Sequence, residues 1–334
     1  MNLMNTPSLN IPAFADVERA AQRLKGVAIH TPLLRSAQLD AITGARVFVK
    51  AECLQLTGSF KFRGAYNTAT AILPAQRKRG LVASSSGNHA QGVAEAARLL
   101  AIPATIVMPR DAPAIKIART RRSGAQVVLY DREQGDRDGI AGRIVEETGG
   151  YFVHAFDNPL VIAGQGTCGL EIADALANAG IAPDRVLVCT GGGGLCAGVA
   201  LAVHERFADA RLHTVEPQGF DDYRRSLALG KIVANDQLGG SACDALLSAM
   251  PGEMTFAINQ KHVENGLSVT DAQAFDAMRF AFAELKLVLE PGGAVALAAL
   301  LAQGKAWQGE TIVCVASGGN VDPAMFVEVL EGRP

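Results

Sequence analysis

From about residue 46 onward, short apolar runs alternate with helical patterns, and this alternation constrains the fold more than any other feature of the chain. Val47–Lys50, Leu81–Ser84, Thr105–Met108, Gln126–Tyr130, Tyr151–His154, Val186–Thr190, Leu212–Val215 and Ile312–Ala316 read as strands. Asn88–Leu100, Ala114–Ser123, Asp136–Thr148, Gly166–Ala179, Leu195–Phe207, Asp271–Leu285 and Ala294–Leu301 read as helices between them. Strands that are apolar along most of their length need cover on both faces, which is the situation of a parallel sheet wrapped by helices. The predicted class is α/β, with two open, mainly parallel twisted sheets and helices on both faces. Residues 78–155 read as a small domain inserted into a large one made of 1–77 and 156–334.

Length and composition support a large core, with 334 residues, 49% of them hydrophobic and only 5% aromatic. The net charge of -2, with both signs interspersed, offers no basic groove for nucleic acid and no polybasic membrane patch. Cys53, Cys168, Cys189, Cys196, Cys243 and Cys314 form no C-x-x-C pair and read as buried, reduced thiols of a cytoplasmic protein. Met1 to Asp16 lacks a basic segment followed by an apolar run, so no signal peptide is expected. Val186–Val203 approaches membrane-spanning length. Four consecutive glycines interrupt it, so strand, loop and helix are predicted there.

In Thr57-Gly58-Ser59-Phe60-Lys61-Phe62-Arg63-Gly64, one lysine sits between two aromatic rings at the start of a helical run. A lysine that loses hydration has a lowered pKa, and a neutral amine can form a Schiff base with an aldehyde. The alternative is a lysine whose stem lies on the rings while its head stays in water.

Active sites of open parallel sheets lie beyond the carboxyl ends of the strands, so the loops there matter most. Ser85-Ser86-Gly87-Asn88-His89 follows one strand and opens a helix, where free N–H groups and the helix dipole suit a carboxylate. An ordinary N-cap would use the same residues. Gly191-Gly192-Gly193-Gly194-Leu195 follows another strand, and such a run lets several N–H groups point at one phosphate. Gly192-x-Gly194-x-x-Ala197, with Glu216 ending the next strand, also fits a dinucleotide fingerprint, so a nicotinamide oxidoreductase competes on this loop alone. Ser317-Gly318-Gly319-Asn320 could hold a heterocycle nitrogen or make a tight turn. Glu216 to Asp222 could supply oxygen ligands to a hard cation or be a solvated acidic turn.

Taken in order, Ser59-Phe60-Lys61, Ser85 to His89, Ala163-Gly164-Gln165-Gly166-Thr167, Gly191 to Gly194 and Ser317 to Asn320 resemble pyridoxal-phosphate enzymes of the tryptophan-synthase-β fold type. Within these, the set is similar to the threonine/serine dehydratase and serine racemase family, over nearly the whole chain from Thr31 to Asp322. The resemblance implies that Lys61 holds pyridoxal 5'-phosphate covalently, with Phe60 packed near its ring. Asn88 would meet the phenolic oxygen, Gly191, Gly192, Gly193, Gly194 and Leu195 the phosphate, and Ser317 the ring nitrogen. The loop of Ser85, Ser86, Gly87, Asn88 and His89 would grip the substrate α-carboxylate, with Ser86 as the acid/base opposite Lys61. Glu216, Asp222 and the Phe220 carbonyl match a divalent-cation site for Mg2+, Mn2+ or Ca2+. The family also implies a cytoplasmic homodimer acting on small amino acids.

A neutral hydroxyl at the ring nitrogen favours expelling a β-substituent over storing the carbanion. The implied reaction therefore has Lys61 remove the α-proton of a β-hydroxy amino acid, the hydroxyl leave, and a 2-oxo acid and ammonia follow. Asp244-Ala245 replaces the family's usual Asp-Gly, and Phe156 stands where racemases carry Asn, which tilts the reading from racemase to dehydratase. Arg137 aligns with an arginine that approaches a distal substrate group, so 3-hydroxyaspartate is a candidate substrate, with a solvated helix residue as the competing reading. With Pro334 following soon after the Ser317 loop, no appended regulatory domain is expected.

Overall fold

The computed structural model describes residues 10–112, 114–131, 136–237 and 239–333. The first nine residues of the segment read for a signal peptide, and Pro334, lie outside these. Among the described residues ten strands form two sheets: β1 Leu33–Leu34, β2 Arg46–Ala51, β3 Leu81–Ser84, β4 Ala104–Pro109, β5 Gln126–Tyr130, β6 Tyr151–Phe152, β7 Arg185–Cys189, β8 Arg211–Pro217, β9 Val263–Val269 and β10 Thr311–Ala316. The larger sheet has the order β1-β2-β10-β7-β8-β9 and the smaller β5-β4-β3-β6. Every pairing is parallel except β1 with β2. The predicted class is therefore what is found.

The smaller sheet draws only on residues 81–152, within the predicted insert. Its apolar cover is shared, because Phe62, Ala65, Ala69 and Val161 pack in the same cluster as Leu81, Val93, Ile106 and Met108. Val47, Val49, Leu187, Val215, Ile312 and Cys314 from the larger sheet join Leu289, Val295 and Leu300 in another. All six cysteines are free and buried.

β9 escaped the sequence reading. Val-Glu-Asn-Gly-Leu-Ser-Val contains an Asn-Gly turn signal and little apolar character, which an edge strand tolerates because one side lacks a partner. Helix Pro159–Asn178 begins seven residues before the predicted start, capped by Asn158, whose side chain accepts the N–H groups of Leu160 and Val161. Gly164 in it meets Gly64 of helix Lys61–Ala71, where a Cβ on Gly164 would lie 2.6 Å from the Gly64 Cα. The two helices touch backbone to backbone, so the helix carrying Lys61 has a fixed seat. Pro159–Asn178 is also long and apolar enough to cross a membrane, but most of it is buried inside the fold. Val186–Val203 is strand, loop and helix, as expected.

Candidate functional site

β2, β10 and β7 are consecutive neighbours, and their carboxyl ends lead to Lys61, Ser317 and the glycine loop. The sheet order alone thus brings together residues far apart in sequence. The Phe60 N–H donates to the Ser317 carbonyl (3.2 Å), and Gly319 N–H donates to Gly58 O (2.9 Å). Ser317 is almost fully buried, and its own N–H donates to Gly293 O (3.2 Å). Two chain segments about 260 residues apart are stitched into one surface.

Lys61 is the first residue of helix Lys61–Ala71. Its Nζ donates to the Ala155 carbonyl (2.7 Å) and lies 5.1 Å from the centre of the Phe60 ring. The residue keeps a partly exposed edge, but its amine is enclosed, and burial lowers its pKa to about 8. The lysine is not the solvated surface residue of the alternative reading. A useful fraction is neutral near pH 8.

The N–H groups of Gly191, Gly192, Gly193, Gly194 and Leu195 find no acceptor among the described residues. Five successive buried or half-buried donors at a helix start are a cradle for an anion. The carbonyls on the same loop face the other way. Gly192 O accepts from Thr255 Oγ1 (2.7 Å) and Gly193 O from Asn259 Nδ2 (3.3 Å). Close approach demands glycine here: a Cβ on Gly192 would lie 2.3 Å from the Phe156 ring, and one on Gly193, at φ +90°, 1.9 Å from Tyr223 Oη.

Glu216 is fully buried, and its two oxygens accept the N–H groups of Tyr223 and Arg224 (2.8 Å each). It is therefore turned away from the role of ribose acceptor that a dinucleotide fingerprint needs, and the oxidoreductase reading falls. Burial, with Asp222 beside it, pushes its carboxyl well up. Burial also raises Asp222, to about 7; its Oδ1 accepts from Asn235 Nδ2 (2.7 Å) while its buried Oδ2 has no partner. Phe220 is buried next to them. Among the described residues no group of three or more His, Cys, Asp or Glu gathers as a metal-ligand set.

The smaller sheet supplies the opposite wall. After β3, Ser85 Oγ accepts the Gly87 N–H (3.2 Å), whereas the N–H groups of Ser86, Asn88 and His89 find no acceptor among the described residues. The His89 side chain turns inward, with Nε2 on Val153 O (2.8 Å) and burial driving its pKa down to about 3. Only its backbone faces the loop's ligand side. Arg137 opens helix Arg137–Thr148, half exposed, with Nε on Asp138 (3.2 Å). It also lies near His154, whose Nδ1 accepts the Asp157 N–H (2.8 Å). Lys116 reaches across to Asp244 (2.6 Å) and Arg119 to Asn320 (3.0 Å), joining this wall to the larger sheet.

Sequence reasoning missed three groups. Glu290 accepts from Asn88 Nδ2, and Asn320 Nδ2 donates to Asn88 Oδ1 (2.8 Å). Glu290 is buried with Oε2 unpartnered, and burial together with Asp244 raises it to about 7. Arg63, two residues after Lys61, is fully buried between Glu52 (2.7 Å) and Glu171 (2.7 Å). Lys50 and Thr31 complete that network. Although burial pushes Glu52 up, Arg63 holds it below the usual range. The third group is Tyr223 with Thr255. An acid before Pro291 and an arginine after a Phe-Lys-Phe run were visible, but nothing local announces their partners.

Residues 25–318 match the family described as pyridoxal-phosphate dependent enzymes. The chain belongs to this family. It is 44% identical to an L-threo-3-hydroxyaspartate ammonia-lyase of Pseudomonas sp over 97% of this chain and 100% of the relative. It is 38% identical to a serine racemase of Schizosaccharomyces pombe over 97% of this chain and 98% of the relative. Its fold matches the solved serine racemase of maize with a TM-score of 0.89 and 34% identity, covering 96% of this chain and 98% of that one. The residues present fit the family's cofactor: an enclosed amine of lowered pKa lies on the same sheet end as five unclaimed N–H donors.

Proposed function

We propose that the chain is a pyridoxal-phosphate dependent dehydratase (ammonia-lyase) that converts a small β-hydroxy-α-amino acid to a 2-oxo acid and ammonia. The observation that carries this is Lys61, an amine held by one carbonyl and kept partly neutral by burial beside the Ser317 loop. Bound cofactor supplies an electron sink for charge at the substrate α-carbon. Lys61 would hold it covalently, the loop from Gly191 to Leu195 would take its phosphate, Ser317 its ring nitrogen and Asn88 its phenolic oxygen. Phe60 lies beside the ring and Phe156 closes the glycine loop.

The N–H groups after Ser85 would take the substrate carboxylate; the substrate amine would displace Lys61 from the cofactor, and the freed Lys61 amine would remove the α-proton. Ser86 Oγ, which makes no hydrogen bond among the described residues, stands ready as a second proton donor. A racemase shares these groups. The apolar Phe156 offers no hydrogen bond to hold a protonated product, which favours elimination. For the substrate we favour 3-hydroxyaspartate: Arg137 and the helix start it occupies offer charge for a second carboxylate, and the Pseudomonas relative is named for that substrate. Glu216, Asp222 and the Phe220 carbonyl suit a hard cation such as Mg2+, which would offset two buried carboxyls. We place the enzyme in the cytoplasm as a homodimer, with residues 78–155 as its small domain.

The test is a panel of threonine, serine and the 3-hydroxyaspartate stereoisomers with 2-oxo-acid detection. Lys61→Ala is expected to lose about 1,000-fold in turnover and the borohydride-sensitive visible absorbance. A colourless wild-type protein, or a Lys61→Ala variant that turns over normally, would sink the proposal.

A further inference from the structure

The glycine loop is held from behind by buried side chains. Tyr223 is fully buried, and its hydroxyl donates to Thr255 Oγ1 (2.7 Å). Thr255 is likewise buried and passes its own proton to Gly192 O (2.7 Å). The Tyr223 oxygen also fills the space that a Gly193 Cβ would take. A peptide's C=O and N–H point in opposite directions, so anchoring a carbonyl at the back of a loop sets the next N–H toward the front. The flexible residues of this loop need such anchors most, because glycine restricts its own backbone least.

From this geometry we infer that Tyr223 and Thr255 are positioning residues, a two-hydroxyl relay that aims the N–H groups of the glycine loop at the cofactor phosphate. The inference rests on the phosphate reading of that loop. Tyr223 has a second tie: its N–H sits on the buried Glu216 carboxylate, so one residue joins the acidic pair to the loop. The relay is specific to hydroxyls. Neither the ring of Tyr223 nor the methyl of Thr255 can replace the proton that Thr255 Oγ1 gives Gly192 O (2.7 Å), beside which the Gly252 N–H (3.4 Å) and Tyr223 Oη (3.5 Å) are longer contacts.

The experiment follows cofactor loss from the holoenzyme after dilution, by its visible absorbance, in Tyr223→Phe, Thr255→Val and the double variant. The Phe substitution keeps the ring, so the fold is retained. Each single variant is expected to lose cofactor about tenfold faster, near the upper end of what one hydrogen bond carries. The double variant is expected to be no faster than the worse single, because both remove the same relay. Thr255→Ser is expected to restore retention, and the 31P resonance of bound cofactor to shift in both singles and the double but not in Thr255→Ser. Variants that melt earlier yet hold cofactor as wild type does, or single effects that multiply in the double, would overturn the inference. A wild-type protein that takes up no cofactor overturns this inference and the function together. Variants as retentive as a cofactor-loaded wild type overturn the inference alone.

Discussion

Behind Lys61, the larger sheet delivers its residues through three adjacent strands, two of whose end loops, after β2 and β10, are tied to one another by backbone bonds and backed by buried ion pairs. Across the cleft, the smaller sheet delivers the serine loop and Arg137 on a wall joined to the other by Lys116–Asp244 and Arg119–Asn320, with Arg137 half exposed. The first wall leaves its groups little freedom. The second keeps polar groups in reach of water, where they can adapt to different substrates. A covalent site tolerates little displacement of the reacting amine, whereas substrate recognition can be shifted by one exposed side chain. The two relatives of different named activity, at 44% and 38% identity, fit this division.

The strongest blow to the rigid wall is Arg63→Ala, which strands the fully buried Glu52 without its guanidinium. Breaking such a pair costs about 3–5 kcal/mol, read by denaturant unfolding. Arg63→Lys should not restore it, since a lysine cannot bridge two carboxylates with a planar fork. Wild-type stability in Arg63→Ala would mean that the network does not hold the helix start. Next comes Glu290. Its pKa is raised on folding, so its contribution is full below about pH 4.3 and is lost as pH rises to about 7. Glu290→Gln keeps the neutral form throughout and should gain on wild type by up to roughly 3 kcal/mol at pH 8, and little at pH 4. Parallel stability curves for the two proteins would contradict this. The adaptable wall is probed by Arg137→Ala, expected to raise KM for 3-hydroxyaspartate about tenfold while leaving threonine unchanged. An unchanged preference between the two substrates rules Arg137 out as their discriminator.

The chemistry of local backbone was legible from sequence. β3 and β5 were read to the residue because apolar runs bounded by turns have one reading, and the glycine loop and Lys61 announced themselves by composition and position. His89 was less legible, since a histidine at a helix start looks the same whether it faces the cleft or, as here, a buried carbonyl. Arg63 with Glu52 and Glu171, Glu290 with Asn88, and Tyr223 with Thr255 could not be read at all. These partners lie between 11 and 202 residues apart, and no periodicity records a pairing at such distances. Sequence thus determined the α/β class, the strand-end loops and the candidate amine, because each depends on neighbours along the chain. Only tertiary structure decided which sheet ends meet, which carboxyls are buried and how the glycine loop is anchored, because those depend on which surfaces exclude water together.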